Sequence, residues 1–245
     1  MRLSGRVAVV TGATGGIGRA IVEAFAAEGA TLFLTGRRAT MEGVPSGARY
    51  LGGDLLDEAF VKRLMGEVRE TFGRLDILVN SHGLQYNSDL RVTDIGEAEA
   101  VLNTNVVGPL LTMKHGIPLM LEGVGGSIVN IASRLGIVGI ADQAVYSASK
   151  GALIMLSKGA AIDFAGHGIR VNVVAPGLTA TEGIEAGFKR QADPEAYRRR
   201  RESTIPMGRL ATPAEVALPV VFLASDDASY ITGAVLPVDG GYTAA

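Results

Sequence analysis

The N-terminal segment places a strong restriction on the fold. A short apolar run, Val7–Thr11, leads into the glycine-rich turn Gly12–Gly18, and a helical pattern follows to Ala27. An uninterrupted apolar run is typical of a strand buried on both faces of a parallel sheet. A strand that passes through glycines into a helix directs backbone N–H groups at a phosphate. The segment predicts a nucleotide-binding βα unit, although a simple tight turn is the alternative in a chain with 33 glycines.

The rest of the chain repeats this alternation. Further strands are predicted at Thr31–Thr35, before Gly52, and at Ile77–Asn80, Gly126–Ser133, Arg170–Ala175 and Ala234–Val238. Helices are predicted at Asp57–Phe72, Glu97–Leu121 (with a bend at Gly108-Pro109), Ala144–Phe164 and Pro213–Ser225. The alternation indicates an α/β fold with a doubly wound parallel sheet and helices on both faces. We expect one domain over residues 1–245, in which residues 179–209 form a mobile segment over the substrate site.

One crossover departs from the pattern. The stretch between residues 38 and 52 is short and contains Gly43, Pro45 and Gly47. Glycine and proline interrupt helices, so little or no helix is expected there.

Composition excludes several classes of function. The 245 residues include no cysteine and three widely separated histidines, so disulfides, thiolate nucleophiles and metal sites are not expected. A formal net charge of −2 gives no field for nucleic acid or for a membrane surface. No apolar stretch approaches the roughly 20 residues that span a bilayer, and the first strand leaves no room for a signal peptide. We expect a cytoplasmic protein with neither nucleic-acid partner nor membrane association.

A second motif predicts proton transfer. Ser133 precedes Tyr146 and Lys150, and the latter two lie four residues apart on one face of the predicted helix. A free phenol titrates near pH ~10, and a nearby ammonium should lower its pKa toward the working range. The serine hydroxyl is suited to hold a carbonyl or alcohol oxygen beside the phenol.

The residues at the end of the second strand indicate which nicotinamide cofactor is preferred. Dinucleotide folds commonly place an acidic side chain here to bind the ribose hydroxyls. This chain instead has Gly36 followed by Arg37 and Arg38. A guanidinium is suited to bind a phosphate, so NADP(H) is the favoured ligand and NAD(H) the alternative. Two solvated surface arginines are the other interpretation.

The helix that carries Tyr146 also predicts self-association. Between Ala144 and Phe164 its only charged residues are Lys150, Lys158 and Asp163. A helix that covers the sheet of a monomer should show a polar outer stripe. We therefore expect a two-fold subunit interface, in a homodimer or homotetramer, unless other elements cover the helix.

The motifs together resemble the short-chain dehydrogenase/reductase family over essentially the whole chain, in its 3-oxoacyl-carrier-protein reductase and sugar dehydrogenase branch. The matching segments are Thr11–Gly18, Asp54, Asn80…Gly83, Asn105, Ser133, Tyr146…Lys150, Pro176-Gly177 and Asp239–Gly241. The resemblance implies a Rossmann fold of about seven parallel strands, a nicotinamide cofactor and commonly a homotetramer. The family's Asn-Ala-Gly after the fourth strand is here Ser81-His82-Gly83, in which we interpret His82 as a packing variation.

The resemblance also implies residue roles. Tyr146 would be the general acid/base, Lys150 would lower its pKa and bind the nicotinamide ribose, Ser133 would orient the substrate oxygen, and Asn105 would hold a water of the proton relay. The implied cofactor-binding residues are Gly12, Thr14, Gly15, Gly16, Ile17, Gly18, Arg37, Asp54, Leu55, Asn80, Ser81, Gly83, Tyr146, Lys150, Pro176, Gly177, Thr179 and Thr181. Candidate substrate residues are Leu84, Arg134, Leu135, Gln143 and Leu178.

Three functions remain open at this point. The favoured one is hydride transfer between NADP(H) or NAD(H) and a secondary alcohol or ketone of a sugar derivative, polyol or small keto compound. A 3-oxoacyl-carrier-protein reductase is disfavoured, because the positions where such enzymes carry basic residues hold Val124 and His167. A non-catalytic nicotinamide sensor would typically lack the tyrosine or the lysine. The run Arg198–Arg201 is interpreted as a solvated helix face rather than an anion site.

Overall fold

Seven parallel strands form one sheet in this computed structural model, which describes residues 1–244. Their order is β3-β2-β1-β4-β5-β6-β7. The strands are β1 (Val7–Thr11), β2 (Thr31–Gly36), β3 (Arg49–Gly52), β4 (Ile77–Asn80), β5 (Gly126–Ile131), β6 (Ile169–Pro176) and β7 (Val235–Val238). The strand order reverses direction between β1 and β4, and such a point opens a crevice at the carboxyl ends of the strands.

Helices cover both faces of the sheet, so the predicted doubly wound α/β fold is confirmed. The helices are α1 (Gly16–Ala27), α2 (Glu58–Phe72), α3 (Ile95–Leu102), α4 (Gly108–Leu121), α5 (Ala144–Ala165), α6 (Glu182–Lys189), α7 (Pro194–Glu202) and α8 (Pro213–Ala224). On one face α1 and α8 bury Ile21, Phe25 and Val220 against β1. On the other face α2, α4 and α5 bury Leu64, Met120 and Ala161 in a second apolar layer.

The crossover from β2 to β3 contains no helix in the fully described stretch 37–48, as predicted. The predicted helix Glu97–Leu121 is different. It begins at Ile95 and is interrupted by a π-helical turn, Asn103–Val107, which lies before Gly108-Pro109. The helical backbone continues without a break from Ile95 through the π-helical turn into α4, so Pro109 lies inside one helical stretch, next to a π-helical turn of the kind at which helices kink. The bend at Gly108-Pro109 stays a prediction.

Residues 179–209 contain α6 and α7, which pack together through the rings of Phe188 and Tyr197 at 5.4 Å between centroids. The mobility of this segment stays a prediction. Within the part of the chain that the structure describes, no helix is both long enough and apolar enough to cross a membrane.

Candidate active site

Ser133, Tyr146 and Lys150 line one cavity of about 460 Å³ at the carboxyl ends of β5 and β6. Ser133 follows β5 and begins the short 3₁₀ turn Arg134–Gly136, whose Leu135 N–H bonds back to the serine hydroxyl at 3.1 Å. The other two side chains come from the first two turns of α5. The 3₁₀ turn packs closely on that helix, since a Cβ on Gly136 would lie 2.8 Å from the Lys150 carbonyl carbon.

Lys150 is buried and held by the strand next to it. Its side chain is 4% exposed, and Nζ donates to the carbonyl oxygen of Ile131 at 3.0 Å. Nζ also lies 5.9 Å from the centroid of the Tyr146 ring. Burial lowers the pKa of Lys150 to about 8, because an ammonium loses hydration in a low-dielectric site.

The acidity of Tyr146 differs from the prediction. Burial raises the pKa of the phenol, and the hydrogen bond with Ser133 acts in the opposite direction. The pKa of the phenol is therefore not lowered as predicted, because desolvation is the dominant cause and the Lys150 ammonium is directed at the Ile131 carbonyl. The Ser133 hydroxyl acts in favour of the phenolate.

Asn105 does not line the cavity, and its side chain makes three hydrogen bonds within the chain. Its Oδ1 accepts from the Leu84 N–H at 2.8 Å, and its Nδ2 donates to the Leu84 carbonyl at 2.8 Å and to Ser149 Oγ at 2.9 Å. Ser149 in turn donates to the Tyr146 carbonyl at 2.7 Å. The Oδ1 atom accepts one hydrogen bond and can accept a second, so the water-holding role stays a prediction. Asn105 also ties the loop after β4 to α5, from a π-helical turn of the kind often found at functional sites.

Asn80, which the resemblance assigns to cofactor binding, lies beneath the two cavities. It is 1% exposed and lines neither cavity described in this subsection. Its Nδ2 donates to Asn130 Oδ1 at 2.8 Å, and its Oδ1 accepts from Thr112 Oγ1 at 2.7 Å. Asn130 extends this hydrogen-bond network, because its Nδ2 donates to Ser157 Oγ at 2.8 Å. This buried network fixes β4, β5, α4 and α5 beneath the site, rather than contacting a cofactor.

The glycine-rich turn forms a cradle that fits a phosphate. Gly12 has a φ of +65°, and a Cβ there would lie 2.7 Å from the backbone nitrogen of His82. A Cβ on Gly18 would lie 2.1 Å from the Gly12 carbonyl oxygen. The first helical N–H groups of α1 have no side-chain cap at Gly15, so they remain available to an anion.

A second cavity, of about 260 Å³, continues from this turn past the ends of β2 and β3. Thr14, Arg37, Asp54 and Leu55 line it together with Ser81 and Gly83. Asp54 Oδ1 accepts from the Leu56 N–H at 2.9 Å, which shapes the loop after β3. Arg37 is exposed, and among residues 1–244 no carboxylate lies within 4.0 Å of its guanidinium. These residues fit the adenosine half of a dinucleotide.

Comparison with known proteins decides the family. A family model described as enoyl-(acyl carrier protein) reductase matches residues 12–243. The chain belongs to the short-chain dehydrogenase/reductase family. It is 40% identical over 247 residues to the cis-4-hydroxycyclohexanecarboxylate dehydrogenase of Sinomonas cyclohexanicum, covering 98% of this chain and 97% of that protein. It is 38% identical over 249 residues to a 3-oxoacyl-[acyl-carrier-protein] reductase of Thermotoga maritima, covering 98% and 99%.

A solved structure of similar fold supports the same family assignment. The ligand-free aldohexose dehydrogenase of Thermoplasma acidophilum superposes with a TM-score of 0.92 at 31% identity, covering 99% of this chain and 95% of that one. The protein is therefore an NAD(P)-dependent oxidoreductase of this family. The glycine cradle and the uncapped start of α1 fit the nicotinamide dinucleotide that such enzymes use.

His82 departs from the family motif and lies between the two cavities, lining both. Its Nδ1 lies 2.7 Å from Thr11 Oγ1, which also accepts from the Ser81 N–H at 3.2 Å. Its Nε2 is buried without a hydrogen-bond partner in the described chain and faces Gly108, where an added Cβ would lie 2.5 Å away. Burial, and then the Lys150 charge, lower the pKa of His82 to about 3. The ring is therefore neutral at physiological pH.

The predicted substrate residues all line the larger cavity, and so do the remaining predicted cofactor residues around it. Besides His82, the sequence prediction missed seven lining residues, which are Gln85, Ile131, Ala132, Ile140, Gly183, Ile184 and Arg201. Arg201 is the most informative of them. It belongs to a charge run that was interpreted as a solvated face, and no local signal separates it from its three neighbours.

Proposed function

We propose that this protein interconverts a secondary alcohol and a ketone of a small molecule, with NADP(H) as its preferred cofactor and Tyr146 as the general acid/base. The observation that carries the proposal is the meeting of Ser133, Tyr146 and Lys150 in one cavity with the phosphate-binding turn. A bound nicotinamide supplies or accepts the hydride. The side chains of this chain have to bind the substrate, orient its oxygen and move one proton.

The proton moves at the phenol oxygen of Tyr146. In ketone reduction the phenol donates to the carbonyl oxygen, and in alcohol oxidation the phenolate accepts the hydroxyl proton. The Ser133 hydroxyl holds the same substrate oxygen and stabilises the phenolate by its hydrogen bond. Because burial raises the pKa of Tyr146, the protonated phenol that ketone reduction requires prevails at neutral pH.

Lys150 acts by position and by charge. Its pKa of about 8 leaves the ammonium largely protonated at neutral pH, so a positive charge lies beside the phenol when the proton leaves. The bond to Ile131 fixes this charge at the carboxyl end of β5. Its remaining N–H groups are free to bind a ribose hydroxyl, since an ammonium has three donors.

The preference for NADP(H) rests on Arg37. Because residue 36 is a glycine, no acidic side chain lies at the end of β2, where the adenosine ribose would bind. A Cβ added at Gly36 would lie 3.1 Å from Thr14 Oγ1. A phosphate on that ribose would meet the Arg37 guanidinium, whereas the unmodified hydroxyls of NAD(H) would find no carboxylate at the end of β2.

Relatives narrow the substrate class. One acts, by its name, on a hydroxycyclohexanecarboxylate and a structural neighbour on aldohexoses, so a secondary alcohol on a small ring or polyol is the favoured substrate. The acyl-carrier-protein reductase among the relatives keeps that activity as the second candidate. The case for this second activity is weakened by Val124, which is 80% exposed and offers no charge to an acidic carrier protein. A non-catalytic sensor is disfavoured by the retained Tyr146–Lys150 pair.

The outer surface of α5 supports self-association. Met155 is 64% exposed and Ile162 is 81% exposed, and Leu110 of α4 is a further exposed apolar residue. We propose that a second copy covers this surface in a homodimer or homotetramer. Sedimentation of wild type should show the assembly, and Ile162→Asp should shift it toward monomer, while Arg63→Asp on the exposed side of α2 controls for an added negative charge. A monomeric wild type would contradict this part of the proposal.

An activity panel tests the function. Purified protein is incubated with NADPH or NADH and a set of ketones, and with NADP⁺ or NAD⁺ and the matching secondary alcohols, while the absorbance of the reduced cofactor is followed. We expect turnover of at least one pair, faster with the phosphorylated cofactor. Binding of cofactor without turnover of any member would favour the sensor.

A further inference from the structure

Two arginine side chains in the catalytic cavity lack an acidic partner. Arg134 lines the cavity next to Ser133, and Arg201 lines it from the last turn of α7. Within residues 1–244, no carboxylate oxygen lies within the 4.0 Å ion-pair distance of either guanidinium. The catalytic cavity thus contains positive charge that the described protein does not neutralise by direct contact.

Arg134 is the more unusual of the two because it is buried. It is 4% exposed, and its Nη1 is a buried donor with no hydrogen-bond acceptor in the described chain. Burial lowers the pKa of this guanidinium, and the nearby charge of Arg201 acts in the same direction. A buried cation without a counter-charge is costly, so such a group is normally found with an anionic partner.

The orientation of Arg134 is fixed by stacking. Its Cζ lies 3.6 Å from the centroid of the Tyr242 ring, a cation–π contact that uses the face of the guanidinium and leaves its N–H edges free. Asp239 is the acidic residue whose charge favours the guanidinium. However, its two oxygens accept from the Gly241 N–H at 3.0 Å and from the Thr243 N–H and hydroxyl at 3.0 and 2.7 Å.

Arg201 differs in its contacts from the other three arginines of the run Arg198–Arg201. Arg198 pairs with Glu185 and Glu202, and Arg199 pairs with Glu195. The Cζ of Arg200 lies 5.1 Å from the Tyr197 ring centroid. These three arginines have surface roles, and Arg201 is the member that lines the cavity.

We propose that the substrate carries an oxyanion, either a carboxylate or a phosphate, which binds Arg134 and Arg201 while its alcohol or ketone group lies at Tyr146. The proposal rests on the oxidoreductase function proposed above and names the class of substrate. A planar guanidinium binds either oxyanion through two parallel N–H bonds. A neutral analogue would leave the buried N–H groups of Arg134 without acceptors, and sites of that kind discriminate strongly.

Matched alcohols test the inference with the wild-type protein. One pair is 4-hydroxycyclohexanecarboxylate and 4-methylcyclohexanol, and the other is glycerol 1-phosphate and 1,2-propanediol. We expect kcat/KM to be at least about tenfold higher for the anionic member of one pair, since one charge-assisted hydrogen bond is enough for such a factor. Equal or higher values for both neutral members would overturn the proposal.

Variants assign the effect to the two arginines. Arg201→Gln should lower kcat/KM for the preferred anion by about tenfold and leave the neutral alcohol within about twofold. Arg199→Gln, on the same helix but paired with Glu195 at the surface, should change neither value. Arg134→Lys keeps the buried positive charge but lacks the planar guanidinium that stacks on Tyr242. This variant should retain part of the preference for the anionic alcohol. An equal loss for anionic and neutral substrates in Arg201→Gln would indicate a structural role and contradict the proposal.

Binding separates this inference from the oxidoreductase function. Calorimetry with NADP⁺-bound protein should detect cyclohexanecarboxylate more readily than cyclohexylmethanol, and Arg201→Gln should abolish the difference. If no alcohol or ketone is turned over while this binding difference is present, the proposed activity fails and the oxyanion site stands. If alcohols are turned over but cyclohexanecarboxylate binds no better than cyclohexylmethanol, the oxyanion site fails and the activity stands.

Discussion

The two ends of the cleft hold their charges in opposite ways. At the catalytic end Lys150 and Arg134 are each 4% exposed. At the adenosine end Arg37 and Asp54 are exposed side chains at the rim of a smaller cavity. Water and salt screen exposed charges, whereas buried charges interact strongly and are costly to leave unpaired. Catalysis should therefore depend steeply on single groups at one end, and cofactor recognition on several weaker contacts at the other.

The largest effect is expected at Tyr146. Tyr146→Phe removes the oxygen that we propose moves the proton and should lower kcat by about 10³-fold, since general acid–base groups contribute on this scale. The affinity for the cofactor, measured by fluorescence titration, should change little, because the phosphate cradle lies on β1 and α1. Loss of both activity and cofactor binding would instead indicate a folding defect. Retention of most of the activity would show that the phenol is not the proton donor.

Lys150→Met is expected to lower activity by about 10²-fold without lowering stability. The reason is that wild type buries an ammonium with one hydrogen bond to Ile131, and a methionine of similar length fills the same space without that cost. The effect on stability should depend on pH. The pKa of Lys150 is lowered from 10.5 to about 8 in the fold, so between these values the unfolded chain binds more protons.

The free energy of unfolding of wild type should therefore rise from pH 8 to pH 10 relative to that of Lys150→Met, by about 1.4 kcal/mol per pH unit. Urea denaturation at several pH values measures this difference. A difference that stays constant with pH would show that Lys150 does not have a lowered pKa in the native state.

The contrast between the two ends also explains what could be predicted from the sequence. Alternating apolar and helical segments predict the sheet, because strands buried on both faces have a distinct local pattern, and the glycine turn and the Tyr146–Lys150 spacing are local as well. The errors concern long-range contacts. Asn105 and Asn80 accept hydrogen bonds from Leu84 and Thr112 of other elements, and no local pattern shows these partners.

Local sequence patterns also fail to predict how the fold changes the pKa values and ion pairs of charged groups. Burial raises the pKa of Tyr146, and burial is a property of the whole fold rather than of an i,i+4 spacing. Arg201 differs from Arg198 in the run because Glu185 of α6 is placed to pair with Arg198. The sequence contains all of these residues, but their partners are set by packing between elements.

His82 lies between the two ends and should show an intermediate effect. Its pKa is lowered from 6.5 to about 3, so as the pH falls from 6.5 toward 3 the unfolded chain takes up a proton that the folded chain does not. Stability should be lost across this window by about 1.4 kcal/mol per pH unit. His82→Ala, which restores the family's usual residue, should remove this contribution while costing some packing at neutral pH. Parallel acid-denaturation curves of the two proteins would show that His82 titrates normally.

Arg37→Ala is expected to have the smallest effect, because the side chain is exposed and screened. The apparent Kd for NADPH should rise by about tenfold, the value of one charge-assisted contact, while the Kd for NADH changes by less than about twofold. Arg38→Ala is the matched control, since Arg38 is the next residue in the chain but does not line the adenosine cavity. Raised salt should reduce the NADPH preference of wild type more than it affects oxyanion selection at the buried end. Equal weakening of both cofactors by Arg37→Ala would show that the guanidinium does not bind the ribose phosphate, and an effect as large as that of Tyr146→Phe would remove the proposed difference between the two ends.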